Sequence, residues 1–367
     1  MTYKEALFFV AKCLTINHEV HNKRIIEEML KSNTVDWDEV VKLSTAHFVF
    51  PALYCNLKRA SFLSYLPEDL VEYMKYITDL NRERNEKIIA QAKELNTLLL
   101  EHNITAIFIK GTGNLLEGLY EDIAERMVGD IDFLFSPEDY PRAIEILEDM
   151  DFTINHKIDE LLSRKKRHYP RLIHKNKISS IEIHHSLIRE KFRHEFNYHY
   201  INSNIQLIQD VSILSFENQL SLSIIASQIN DFGFEYKNLA LRNAYDVFLL
   251  SKKTTAKNAF LKFNTLQHPL NCFLAICFEV FNKPQTLKYT SSRRIEKYLV
   301  VFNQYLNNRD LYINNYKKII IRRAIFNRFT IIYKSFFYKE YRLWILNLIT
   351  DKKWRKEKLI QLGIKKP

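Results

Sequence analysis

A chain of 367 residues that is 47% hydrophobic and 13% aromatic can fill roughly two or three packed interiors, which excludes a disordered or low-complexity protein. No run approaches the ~20 uncharged apolar residues that cross a bilayer, and the early acid Glu5 and lack of a small-residue cleavage site argue against a secretory signal. The net charge of +11 is unevenly spread, because residues 281–367 hold 21 of the 54 Lys/Arg but only 5 of the 43 Asp/Glu.

Residues 1–103 read as helical. Apolar side chains recur at helical spacing over 2–14, the acids Asp36, Asp38 and Glu39 mark a capped start before Val40, and Pro67-Glu68-Asp69 opens a long helix reaching about 101. Over 104–200 the character changes to strand 104–109, a glycine turn, helix 114–120, strand 130–135, helix 137–149 with Ser136 as N-cap, and strand 178–184. From about 215 the pattern is helical again, at 217–229, 237–252 and 269–281, followed by basic segments. This predicts an α+β protein with a core at 104–200 between helical regions 1–103 and 201–367. The scattered cysteines (Cys13, Cys55, Cys272, Cys277) are expected to be reduced core thiols in a cytoplasmic protein.

The chemistry concentrates in the middle unit. In Gly129-Asp130-Ile131-Asp132-Phe133, strand periodicity puts both aspartates on one face and the apolar residues on the other, with the aspartate Cα atoms roughly 6–7 Å apart. Two adjacent carboxylates on an apolar strand call for a cation between them. Four of the chain's six glycines (Gly111, Gly113, Gly118, Gly129) fall within 111–129, and Lys110-Gly111-Thr112-Gly113 follows an apolar strand, a turn suited to phosphate. A third acid, Glu182, shares a strand face with His184, and joins the aspartates if the two strands pair. Asp132→Ala is expected to abolish the chemistry of this site while leaving the melting temperature similar or higher, because it removes charge repulsion.

These residues resemble the nucleotidyltransferase superfamily related to DNA polymerase β, and more narrowly the bacterial uncharacterised nucleotidyltransferase family. The matching positions are Lys110-Gly111, Tyr120, Arg126, Asp130-Ile131-Asp132, His168 and Glu182-Ile183-His184, with weaker likeness over 47–54 and around Asp246. Thr112 stands where the superfamily has serine, and keeps the hydroxyl. The resemblance implies a small mixed sheet with helices and a magnesium-dependent transfer of a nucleoside monophosphate from a nucleoside triphosphate to an acceptor, releasing pyrophosphate. It implies Asp130, Asp132 and Glu182 as catalytic residues holding two Mg²⁺ ions. Lys110, Gly111, Thr112, Gly113, Arg126 and His184 are implied as the nucleotide-binding set. The acceptor stays open among a small molecule, a glycan precursor, a protein and RNA, and an RNA-modifying enzyme or an inactive nucleotide-binding module are the alternatives.

Two basic features stand outside this pattern. Arg164-Lys165-Lys166-Arg167-His168 reads either as a triphosphate or acceptor contact or as a solvated loop. The tail after 281, where Lys and Arg alternate with Tyr, Phe and Trp, suits an anionic partner such as nucleic acid, polyphosphate or a membrane surface. The simpler reading of the tail is a solvated helix face with its aromatics packed inward. Tyr120 and Asp246 read as structural.

Overall fold

The computed structural model describes residues 1–154 and 167–361. Its centre is a mixed sheet of seven short strands: β1 Ile107–Phe108, β2 Asp130–Leu134, β3 Thr153–Ile154, β4 Leu172–Ile173, β5 Ser180–His184, β6 Ile205–Ile208 and β7 Val211–Leu214. They lie in the order β3-β4-β5-β2-β1-β7-β6. β2 runs parallel to β5 and antiparallel to β1, and β7 runs parallel to β1. The alternation read from the sequence is realised here: Ile131, Phe133, Ile181 and Ile183 are fully buried on one face, where Phe133 meets Phe108 with ring centroids 4.7 Å apart. The opposite face carries the acids.

Helices from both flanks pack onto the same interior. One continuous apolar cluster runs from Ala6 to Leu306, so the N-terminal helices, the sheet and the helices after it share a core. The expected long helix is Glu68–Glu101, and it does more than scaffold. Its Asn81 amide donates to the Ala124 and Arg126 carbonyls and its Asn85 amide to those of Ile123 and Arg126. Gln91 both donates to the Ser179 carbonyl (2.9 Å) and accepts from the Ser179 amide (3.1 Å). Three buried amides therefore fix the entries to β2 and β5, where stray backbone groups would otherwise be unsatisfied.

The structure departs from the sequence reading in three places. First, the strand expected at 104–109 is shortened to β1, and the next helix begins at Lys110 rather than 114, as Lys110–Glu117. Gly113 explains this, because a Cβ there would stand 2.8 Å from the Phe108 carbonyl oxygen. The helix can lie against β1 only without that atom, so Gly113 serves packing. Second, β6 and β7 form a hairpin that extends the sheet to 214, past the core end expected at 200. Its turn, Gln209-Asp210, has φ of 48° and 65°, the geometry usually signalled by Asn-Gly or Asp-Gly. Third, the helix predicted at 217–229 ends at Ile225 and continues as a π-helical turn, Ala226–Asn230.

All four cysteines are buried and unpaired. After Arg293–Asn307 come three further helices, Arg309–Phe337, Lys339–Thr350 and Lys352–Gln361. Among the described residues, no helix is long and apolar enough to cross a membrane.

Gly113→Ala is expected to lower unfolding stability by about 1–3 kcal/mol, since backbone must move to admit the methyl group. Gly129→Ala, which meets nothing within 4 Å, should stay within about 0.5 kcal/mol of the wild type in the same denaturant titration.

Candidate active site

Parallel pairing of β2 with β5 sets the register Asp130↔Ser180, Asp132↔Glu182 and Leu134↔His184. The three predicted acids thus converge on one sheet face. Like charges at this spacing need compensation, and two protein cations supply it. Lys110 Nζ lies 2.6 Å from Asp132 Oδ1 and 3.5 Å from Glu182 Oε2. Arg171 Nη2 lies 2.8 Å from Asp130 Oδ2 and 3.2 Å from Glu182 Oε1. Ser180 donates its hydroxyl to Asp130 Oδ1 at 2.5 Å. The imidazole of His184, fully buried, places Nε2 2.9 Å from Asp132 Oδ1 and 3.6 Å from Glu182 Oε2.

Lys110 reaches the acids from a left-handed backbone position, φ 56°, where a non-glycine residue costs of order 1–3 kcal/mol. Strain of this kind collects at functional sites. Burial lowers the Lys110 pKa, but the charges of Asp132 and Glu182 outweigh it and raise the value, keeping the ammonium charged. Burial alone would raise Glu182. The nearby His184 ring, 3.6 Å away, and the charge of Lys110 nevertheless hold it well below the ordinary carboxylate range. For Asp130 burial prevails over Ser180 and Arg171, and its pKa is raised.

Donor atoms of Asp132, Glu182 and His184 all lie within 4.8 Å of one another, a grouping able to hold a metal ion. Two carboxylate oxygens and an imidazole nitrogen suit a divalent cation. Among the described residues the other ring nitrogen of His184, Nδ1, is buried without a hydrogen-bond partner, and Nε2 meets Asp132 at 2.9 Å and Lys110 at 3.2 Å. The expected trio of Asp130, Asp132 and Glu182 is therefore regrouped. His184 joins the cluster because positions 182 and 184 share a strand face, and Asp130 is drawn aside by Ser180 and Arg171.

Asp130, Asp132 and Glu182 line a cleft of about 230 Å³, whose walls also include Lys110, Gly111, Arg126, Arg167, Asp231 and Arg242, while His184 is buried behind the acids and does not line it. Thr112 and Gly113 are not among the lining residues. Thr112 is fully buried and donates its hydroxyl to the Asp130 carbonyl at 2.9 Å, pinning the helix start to β2. Arg126 borders the cleft with its guanidinium committed elsewhere: Nε and Nη2 each stand 3.1 Å from Asp246 Oδ2, and Nη1 donates to the Met127 carbonyl. Tyr120 donates to the other Asp246 oxygen at 2.7 Å, so Tyr120 and Asp246 are structural, as the sequence suggested. Of the basic run, residues 164–166 lie outside the described residues. Arg167 lines the cleft, and the His168 ring sits 5.1 Å from that of His184. Residues 47–54 contribute no cleft lining.

Sequence reasoning missed Arg171, Ser180, Asp231 and Arg242. Arg171 was within reach, because β4 sets Leu172 opposite the buried Ile181, which turns its neighbour Arg171 to the acid face. Arg242 and Asp231 come from distant helical segments and carry no local signal. The acids are thus not left to repel one another, and the expectation that Asp132→Ala is neutral or stabilising is reversed.

The family described as uncharacterised nucleotidyltransferase matches residues 33–282, more than half of the chain, and the protein belongs to it. No curated protein and no solved structure matches the chain.

Asp132→Ala leaves Lys110 without its closest partner, and should lower stability by about 1–3 kcal/mol in denaturant unfolding. The depressed Glu182 carboxyl stabilises the fold above its unfolded-state pKa, a contribution lost as pH falls through the folded value. Glu182→Gln should therefore lose less stability than the wild type on acidification below about pH 4.5, measured by melting temperature against pH.

Proposed function

We propose that this nucleotidyltransferase moves a nucleoside monophosphate from a nucleoside triphosphate to an acceptor, with Mg²⁺ as its cation. The observation that carries the reading is the convergence of Asp132, Glu182 and His184 beneath a cleft walled by Lys110, Arg167 and Arg242. Asp132 and Glu182 would hold the ion through their oxygens, with His184 positioning Asp132, and the ion when bound would lower the energy of charge developing on the transferring phosphate. This reading needs one ion rather than the two the resemblance implies, which leaves Asp130 free to accept a proton.

The rest is the work of the chain's own groups. Lys110, Arg167 and Arg242 attract and orient the triphosphate, and Gly111 borders the cleft where a side chain would crowd Val128 and Arg126. An acceptor hydroxyl forms the new bond to the α-phosphorus, and the bond to the pyrophosphate oxygen breaks with its electron pair leaving on pyrophosphate. The hydroxyl proton passes to Asp130. That carboxylate is more basic than usual through burial, whereas Glu182 is made less so by His184 and Lys110. Past Arg167 the cleft adjoins a second hollow whose lining holds four arginines, Arg167, Arg189, Arg193 and Arg323, against one acid, Glu190, together with His168, Phe232 and Asn327. Its arginines are where the acceptor docks, and they favour one that bears negative charge.

Each α-labelled nucleoside triphosphate incubated with the protein, Mg²⁺ and a cell extract should yield label on one acceptor class. Asp132→Ala and Glu182→Gln should each reduce transfer at least ~100-fold, and chelation should abolish it. Nucleotide binding without label transfer in any fraction would instead identify a binding module.

A further inference from the structure

The tail contradicts its simpler reading. The 29-residue helix Arg309–Phe337 buries none of its residues fully, and its aromatics from Phe326 to Phe337 are exposed rather than packed inward. Among the described residues, 15 of the 28 exposed large hydrophobic side chains fall between 311 and 349. They are not scattered. Ile321, Ile325, Phe329, Ile332 and Phe336 recur at four- and three-residue intervals, which draws one stripe along the helix. These five are between 47% and 75% exposed, and Phe326, Tyr333 and Phe337 widen the stripe. An apolar face of this extent marks a surface that something covers.

The opposite side of the helix faces the protein body. Arg323 donates to the Tyr236 hydroxyl at 2.7 Å and lies over the Phe232 ring, while Tyr316 packs on Tyr236 with centroids 4.6 Å apart. The stripe therefore points away from the catalytic unit. Its surroundings are strongly basic, since residues 281–367 carry 21 Lys/Arg against 5 Asp/Glu.

From this we infer that the face Ile321–Phe336 docks on an anionic lipid bilayer, lying in the plane of the headgroups with its apolar stripe inserted and the flanking cations against lipid phosphates. Charge selects the occupant. A second copy would bring the same excess of cations into contact, and like charge opposes that pairing. Nucleic acid would use the cations and could stack on Phe and Tyr, but isoleucine offers it neither stacking nor hydrogen bonds. Only a lipid surface uses both the aliphatic stripe and the basic border. The hollow at Arg323 lies on the body-facing side of this same helix, so docking would hold that hollow close to the membrane surface.

The test is flotation of the full-length protein with vesicles of phosphatidylcholine alone and with about 30% phosphatidylglycerol, at ~0.1 M and ~0.5 M NaCl. Binding should be confined to the anionic vesicles and weaken with salt. The triple variant Ile325→Ser/Phe329→Ser/Phe336→Ser, exposed positions whose replacement should leave the melting temperature unchanged, should bind at least ~tenfold more weakly. Equal binding to both vesicle types, or full binding by the triple variant, would overturn the inference. So would a wild-type dimer in light scattering that the triple variant breaks, or a tRNA complex in place of vesicle binding.

Discussion

Three carboxylates gathered on one face of two parallel strands are the constraint on which the rest of the structure depends. Left alone, Asp130, Asp132 and Glu182 would repel one another and push apart the pairing that brings them together. Lys110 between Asp132 and Glu182, and Arg171 between Asp130 and Glu182, make the arrangement tolerable. The compensation is asymmetric. The Lys110 side chain, from a left-handed backbone position, is about a quarter exposed, whereas the Arg171 side chain is about half exposed and comes from just before β4, the neighbour of β5.

Such a charged face survives in a protein interior only if its backbone cannot relax. Much of the surrounding sequence serves that end. The amides of Asn81, Asn85 and Gln91 grip the loops that enter β2 and β5. The buried Arg126–Asp246 pair, completed by Tyr120, ties the segment before β2 to the helix Leu241–Leu250. Arg59 anchors the same segment through Glu125, 2.8 Å away, which also accepts from Tyr245. Helices before and after the sheet thus converge on one short stretch, which accounts for a family likeness that extends well beyond the strands themselves.

The sequence showed those parts of the site whose geometry follows from strand period alone. Asp130 with Asp132, and Glu182 with His184, needed only alternation and the pairing of two apolar strands. Gly113 was legible as a special position but not in its purpose, because the atom it makes room for, the Phe108 carbonyl, is met only when the helix is laid on the strand. Arg126 looked like a ligand for phosphate, and it lines the cleft while pairing with Asp246, a partner 120 residues away that no local pattern signals. The β6–β7 hairpin was invisible because Gln209-Asp210 adopts positive φ without glycine or asparagine. The tail misled in a different way: its periodicity was real, but periodicity says which residues share a face and not what that face touches.

The central claim is that Asp132, Glu182 and His184 act together as a divalent-cation site. Calorimetric titration of Mn²⁺ into the protein holding a non-hydrolysable nucleoside triphosphate tests it most directly. Saturable binding that weakens at least ~tenfold in His184→Ala, with the nucleotide still bound, is the result this account predicts. Unchanged Mn²⁺ affinity in that variant would contradict it.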